Sequence, residues 1–483
     1  MMKFKVVAHI IGFLLILNGL FILSGIGFSL YYNSDDIFAL LVAGLGTSLT
    51  GFILWLSTRK SEITELGKRE GYLIVTLGWI AMAIFGAFPF LIYGAVGNYT
   101  DAFFETMSGF TTTGATILTD IEILPPGLLF WRSLTQWLGG MGIIVLSLAI
   151  LPLLGIGGMQ LFTAEVPGVT KDKIHPRVKE TAKRLWGIYV ILTAAEMLLL
   201  MVGGLSFYDA INHSFTTMAT GGFSTKNASI AYYTSPFVQY IFIIFMFFAG
   251  MNFTLHYLAF HGKFSFFKEN TEFKFYLGFI IFAAVFVMII HLPHVDFHWE
   301  EAIRQSLFHV VSLTTTTGYV TSDFENWAPF SRMIFFALLF VGGCAGSTGG
   351  GIKFVRHIVM FKNGWAELKR LLHPRAVIPV KFDNKTVGSE IISNVQAFFI
   401  FYILLFVFGS MILAMLGVDF VSAAGATATC IGNIGPGIGT VGPVSNFAHL
   451  PDIVKWILSL FMVIGRLELF TVLIIITPAF WKS

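Results

Sequence analysis

The chain has 483 residues, of which 56% are hydrophobic and 12% charged, about half the roughly 25% charged share of a globular protein. A soluble protein of this size needs a charged skin over its core, and disorder needs low hydrophobicity with high charge, so both classes are excluded. The net charge of +3 is too small to imply a nucleic-acid partner. Apolar runs long enough to cross a bilayer recur along the chain, which points to a polytopic helical membrane protein. A transmembrane β-barrel would show short alternating strands instead.

In chain order the apolar segments fall near 6–30, 37–57, 72–96, 127–155, 185–206, 236–260, 275–292, 329–360, 391–417 and 452–480. These predict about ten spans. The first follows a basic start, Met1 to Lys5, and runs on to about Leu30 without a good small-residue cleavage site. It therefore reads as a span rather than a cleaved signal peptide. Of the 30 Lys and Arg, 24 fall on one side of this arrangement, which makes that side cytoplasmic and places both termini there. The other side carries Arg132, Lys226, Arg304, Arg332 and Lys455 against fourteen acids. An electronegative outer face raises cation concentration at a pore mouth, although avoidance of Lys and Arg gives the same pattern. Few ionisable groups are left for mid-membrane beyond Glu196, Arg466 and Glu468. Cys344 and Cys430 sit in apolar, Gly-rich surroundings and are expected to be buried thiols rather than a disulfide or metal site.

After the first two spans, the remaining eight form four pairs. Each pair encloses a shorter, Thr- and Gly-rich segment on the outer side: DAFFETMSGFTTTGAT, DAINHSFTTMATGGFS, QSLFHVVSLTTTTGYV and AAGATATCIGNIGPGI. They align on Gly114, Gly222, Gly318 and Gly435, separated by 108, 96 and 117 residues. Nine residues earlier lie Glu105, His213, His309 and Ala426; six earlier lie Ser108, Thr216, Ser312 and Thr429. A short helix followed by a turn is thus written four times, a repeat architecture. Non-helical backbone at membrane depth is tolerated only where it is buried in protein or lines a watery cavity. Four such turns on one quasi-fourfold axis would aim their carbonyls at a common centre, each at the negative end of a half-helix dipole. Carbonyl rings of this kind replace the hydration shell of K⁺ in potassium filters. The expected filter residues are Thr112, Thr113 and Gly114; Thr220, Gly221 and Gly222; Thr316, Thr317 and Gly318; and Asn433, Ile434 and Gly435. Close helix packing by small residues explains any one of these segments, but not four copies at corresponding places. His213 and His309 are expected to fill core positions beneath the filter rather than to sense protons.

In the eighth span, VGGCAGSTGGGIK places Gly342, Gly343, Gly346, Gly349, Gly350 and Gly351 within ten residues. Each Gly costs about 1 kcal/mol against Ala in a helix, so the span should break and its backbone needs polar partners. The alternative is tight GxxxG-type packing. Lys353 and Arg356 follow the break, placed to steer the loop, to meet a regulatory subunit, or, as such residues most often do, to anchor the span at headgroups. Arg466 lies in the last span among apolar neighbours, and an intramembrane charge usually faces the bundle interior. It is expected to form an electrostatic barrier below the filter. The competing reading is a structural pair with Glu468 or Glu196, but residues two apart on a helix do not face each other.

The four repeats, the stretch WRSLTQWLGGMGI at 131–143, VGGCAGSTGGGIK at 341–353 and GRLE at 465–468 resemble the TrkH-type subunits of the Trk/Ktr/HKT superfamily of potassium transporters, over essentially the whole chain. The resemblance implies an all-α polytopic membrane fold with four M1–P–M2 pore repeats around a quasi-fourfold axis plus two extra N-terminal helices. The corresponding units are 1–68 (the two N-terminal helices), 69–160, 161–262, 263–362 and 363–483 (pore repeats one to four). It also implies a bacterial cytoplasmic membrane location, a homodimer with one pore per subunit, and a cytoplasmic nucleotide-binding partner of the TrkA type. The Gly-rich stretch corresponds to an intramembrane gate loop. Gly at the first repeat's filter position goes with K⁺ in this family, and Ser there with Na⁺. Potassium is therefore the expected cargo, with no organic cofactor and no catalytic residues. The unlike third and fourth segments, TTTTGY against GNIGPG, suggest a K⁺/Na⁺ discrimination weaker than a symmetric channel's. Two rival classes fit less well. An ion-coupled solute transporter predicts two inverted halves and mid-membrane ionisable groups. A membrane enzyme needs a clustered nucleophile, base or metal set, and the twelve histidines are scattered.

Overall fold

The computed structural model describes residues 3–59, 67–142, 178–383 and 385–482. Lys60, Lys171, Lys173 and Arg177, and the end of the expected span at 127–155, lie outside the described residues. Two long apolar helices come first, α1 (Phe4–Ser24) and α2 (Ile37–Ser57). Small residues let their backbones touch: a Cβ on Gly12 would stand 2.7 Å from the Trp55 amide nitrogen, and one on Gly51 2.6 Å from that of Ile16.

Four units follow, each with a rising span, a short buried half-helix and a second span. In the first, α3 (Lys68–Gly86) leads to the half-helix α4 (Tyr99–Phe110) and to α5 (Pro126–Trp137). The second comprises α6 (Val178–Val202), α7 (Phe207–Met218), α8 (Pro236–Ala249) and α9 (Phe253–Phe260). The third has α10 (Thr271–His291), α11 (Trp299–Thr314), α12 (Pro329–Leu338) and α13 (Phe354–Leu372). The fourth has α14 (Ser389–Met415), α15 (Phe420–Gly432), α16 (Asp452–Arg466) and α17 (Phe470–Ile476). A two-residue hairpin, Lys381–Phe382 against Lys385–Thr386, joins the third unit to the fourth.

Among the described residues six helices are long and apolar enough to cross a membrane, or up to eight if each bent pair counts as one span. The half-helices α4, α7, α11 and α15 have 12, 12, 16 and 13 residues. At 1.5 Å per residue that is too short for a hydrocarbon core of about 30 Å. Three start on side-chain caps, where Asn98, Ser206 and Asp419 accept the amides of Asp101, Asp209 and Ser422.

Among the described residues the second spans of the second, third and fourth units are interrupted, where the sequence pattern predicts an interruption only in the third. In the first unit α5 runs on into a π-helical turn, Leu138–Gly142, at the edge of the described residues. The α8–α9 pair bends by 103° and α16–α17 by 118°. Long stretches separate α12 from α13. Hydropathy cannot see these bends, because the apolar run continues through them. They are held by polar contacts instead. Asn252 caps α9 through the Thr254 amide, and the α16–α17 turn carries Glu468 and Leu469 at φ +57° and +53°, a left-handed region rarely tolerated outside Gly.

Cys344 and Cys430 are free and buried. The interior holds more charge than the sequence pattern indicates. Glu105, Arg132, Glu272, Lys353, Arg356 and Lys455 are buried alongside Glu196, Arg466 and Glu468. Arg132 and Lys455 were expected on the outer face. The half-helices carry their partners inward: Arg132 Nε lies 2.7 Å from Glu105 on α4, and Lys455 Nζ 2.5 Å from Asp101. Charge pairs can persist in a dry interior when both ions are compensated.

Candidate ion pathway

The four Thr/Gly turns follow the half-helices with the same backbone path. Thr112, Thr220, Thr316 and Asn433 sit at φ +52°, +55°, +62° and +52°, and the aligned glycines at +81°, +77°, +80° and +103°. The residues between them keep negative φ. Alternating hand turns successive peptide groups the same way, amides to one side and carbonyls to the other. In each turn the middle residue's amide returns to the half-helix: Thr113 to Ser108 O, Gly221 to Thr216 O, Thr317 to Ser312 O and Ile434 to Thr429 O, at 2.8–3.1 Å. Left-handed Thr is a strained choice, costing about 1–2 kcal/mol, and its recurrence at three equivalent places means the surroundings impose it.

The turns close into a ring. A Cβ on Gly114 would fall on the carbonyl oxygen of Gly221; one on Gly222 would fall on that of Thr317, and one on Gly318 on that of Ile434. A Cβ on Gly435 would lie 2.8 Å from the carbonyl oxygen of Thr113, which completes the circle. Each aligned glycine thus abuts the residue before the glycine of the next unit. All four border one cavity of about 160 Å³, which Lys226, Asn227 and the 442–447 segment also line.

Outside the ring, in three of the four units the residue nine before the glycine braces the chain leaving the turn. Glu105 accepts from the Thr116 hydroxyl at 2.9 Å and the Ile117 amide at 2.9 Å. His213 Nε2 meets Ser224 Oγ at 2.9 Å, and His309 Nε2 meets Ser322 Oγ at 3.1 Å. Both histidines are fully buried. In the fourth unit Ala426 has no polar group, and Gly425 beside it lies against Ile438.

Two residues of α5 reach across to the second unit and were not singled out from sequence. Arg132 donates to the Ser224 carbonyl at 3.0 Å and stacks 3.6 Å from the centre of the Phe223 ring while pairing with Glu105. Gln136 donates to Gly221 O at 2.7 Å and accepts from the Phe223 amide at 3.0 Å. Their sequence signal is the i, i+4 spacing of a cation and an amide within the stretch WRSLTQWLGGMGI. Breaking a buried pair by removing one partner costs about 3–5 kcal/mol. Arg132→Met is therefore expected to lower the thermal unfolding midpoint in detergent far more than Arg304→Met, whose partner Glu300 is exposed.

Below the ring lies the Gly-rich stretch 339–353. The Gly342 amide donates to Ile352 O at 2.9 Å, which closes the stretch into a loop. Its tip meets the ends of three half-helices. Thr348 Oγ1 donates to Met218 O at 2.9 Å, a Cβ on Gly349 would lie 2.9 Å from Thr315 O, and one on Gly350 2.5 Å from Gly432 O. The Gly350 amide bonds Thr316 Oγ1 at 2.6 Å. Gly343 and Gly346 lie against the α8–α9 bend: the Cys344 amide donates to Gly250 O, and Gly346 O accepts from the Phe253 amide. Gly351 takes φ +64° as the loop returns toward α13. Both flanks are pinned to one carboxylate, Glu272, which accepts the amides of Ala345 at 2.8 Å and Val355 at 3.0 Å.

Arg466 points into this layer. It donates to Thr348 O at 2.7 Å, Gly139 O at 2.6 Å and Gly140 O at 2.8 Å, so it ties the loop to the first unit. Glu468 pairs instead with Arg356. Lys353 donates to Gly349 O. Lys353 and Arg356 are buried, which corrects the headgroup-anchor reading. The break returns them toward the protein interior, where carbonyls and Glu468 take the place of phosphates.

A protein with this ring and loop should have relatives that move ions, and residues 37–483 match the family described as TrkH, Cation transport protein. The chain belongs to the TrkH family. The match is full-length. The potassium uptake protein TrkH of the Trk system in Escherichia coli K12 is 42% identical over 488 residues, and that of Halomonas elongata 40% over 486, each covering 100% of both chains. The crystal structure of the potassium transporter TrkH from Vibrio parahaemolyticus superposes with a TM-score of 0.90 at 38% identity, covering 100% of both chains. The TrkH family is one of transport proteins, not enzymes, and its fold is the all-α membrane bundle described above.

Proposed function

We propose that this TrkH-family chain takes up K⁺ across the cytoplasmic membrane through the ring formed by residues 112–115, 220–223, 316–319 and 433–437. The ion sheds water and is coordinated by backbone carbonyls. The observation that carries this reading is the closure of four equivalent turns into a ring whose glycines all border one cavity, each turn fed by the negative end of a buried half-helix. Entry is driven by the membrane potential, worth about 2.3 kcal/mol per charge per 100 mV. The names of the full-length relatives, potassium uptake proteins, support K⁺ as the cargo.

Gating by the 342–351 loop with Lys353 and Arg466 belongs to the same reading. The loop's contacts beneath three half-helices and the Arg466 bonds to both loop and first unit support it. A homodimer working with a cytoplasmic nucleotide-binding subunit of the TrkA type is proposed on the family resemblance. Expression of the chain in a bacterial strain lacking its own potassium uptake is expected to restore growth at low K⁺. Absence of rescue by a protein that reaches the membrane overturns the potassium assignment.

A further inference from the structure

The ring is not equivalent in its bonding. The four carbonyls that precede the aligned glycines belong to Thr113, Gly221, Thr317 and Ile434. Among the described residues, those of Thr113, Thr317 and Ile434 accept no hydrogen bond, whereas Gly221 O accepts Gln136 Nε2 at 2.7 Å. The same amide accepts the Phe223 N–H at 3.0 Å through Oε1. One side chain of the first unit therefore clasps the second unit's turn on both sides of Gly222. Gln136 is fully buried, and a Cβ on Gly221 would collide with its amide group. The clasp thus requires Gly at that position, and the fit leaves the amide no second place to go.

We infer that Gln136 is a positioning residue that sets ion selectivity by holding the Gly221 carbonyl and drawing on its electron density. The inference rests on the filter reading above. A carbonyl oxygen has two lone pairs, so Gly221 O still faces a cation while donating less to it. The ring at this level then offers three strong acceptors and one weakened one. A lower field suits a large, weakly hydrated cation such as K⁺ over Na⁺, because the site repays less of the hydration energy that the smaller ion must give up. Loss of the clasp acts twice in one direction: it strengthens the fourth carbonyl and lets the turn shift toward a smaller ion.

Gln136→Met keeps side-chain length and removes both bonds. Gln136→Asn keeps the amide but is one methylene too short to span both partners. In proteoliposomes, the K⁺-to-Na⁺ permeability ratio from reversal potentials is expected to fall about fivefold in either variant, the equivalent of one net neutral hydrogen bond. The apparent KM for K⁺ is expected to rise, with maximal flux largely kept. A purely structural role would depress both ion fluxes together and leave the ratio unchanged; that result from either variant, recovered as folded protein, overturns the inference. Gly222→Ala, measured in parallel, separates the two layers of argument. If it leaves the ratio intact, the filter reading fails; if it collapses the ratio while Gln136→Met does not, only the Gln136 inference fails.

Discussion

Gly114→Ser is expected to abolish rescue of a potassium-uptake-deficient strain at low K⁺ and to lower the K⁺-to-Na⁺ permeability ratio at least tenfold. Two costs meet at this position. Residue 114 takes φ +81°, which an L side chain adopts at about 1–2 kcal/mol. The Ser Cβ would also occupy the place of the Gly221 carbonyl oxygen, so the first and second turns must separate. A ring that opens by a fraction of an ångström loses the match between carbonyl spacing and a dehydrated ion, and about 1.4 kcal/mol of lost differential binding is already tenfold. The sign agrees with the family pattern of Ser at this place with Na⁺. Growth assays and reversal potentials on the purified protein check it. A Ser variant that rescues growth with an unaltered ratio excludes residues 112–115 from the filter.

Arg466→Gln is expected to raise K⁺ flux into proteoliposomes. Arg466 keeps a guanidinium in the layer below the ring, and its bonds to Thr348, Gly139 and Gly140 hold the loop in place. At an effective dielectric of about 20, two like unit charges about 8 Å apart repel by about 2 kcal/mol, which is about thirtyfold in rate, and a guanidinium in the layer below the ring acts on a passing cation with that sign. Gln keeps polarity but not charge, and its single amide cannot replace three donated bonds, so barrier and latch weaken together. Flux equal to wild type, at equal protein incorporation, sinks the barrier. Glu272 offers an independent view of the latch: without its carboxylate the amides of Ala345 and Val355 lose a shared acceptor.

Much of this arrangement was legible along the chain. The fourfold segment was visible because a left-handed turn at the end of a half-helix leaves a local trace, Thr or Asn and Gly at fixed offsets. The break after Leu338 was visible because six glycines cannot sustain a helix. The bends after α8 and α16 left no such run of glycines. At 250–252 and 467–469 a single polar residue marks each bend, Asn252 and a Glu468 whose partner Arg356 is more than 100 residues away. That Arg132 and Lys455 are buried was not legible, because a count of charges by loop carries no burial coordinate. A re-entrant half-helix brings Glu105 and Asp101 to meet them inside.

The sequence by itself determined the class of protein and located the four turns at its centre. A 12% charge content forbids a solvated surface of ordinary extent, and repeated Thr/Gly segments mark where the backbone leaves the helix. Both are local properties, set by transfer free energy and by allowed φ. Only the tertiary structure decided how the four turns meet: which glycine abuts which carbonyl, that Gln136 clasps one turn of the four, and that Arg466 bridges the loop to the first unit. Those contacts join residues 85 to 327 positions apart. Such distances are closed by packing of whole spans, which no periodicity within one span encodes.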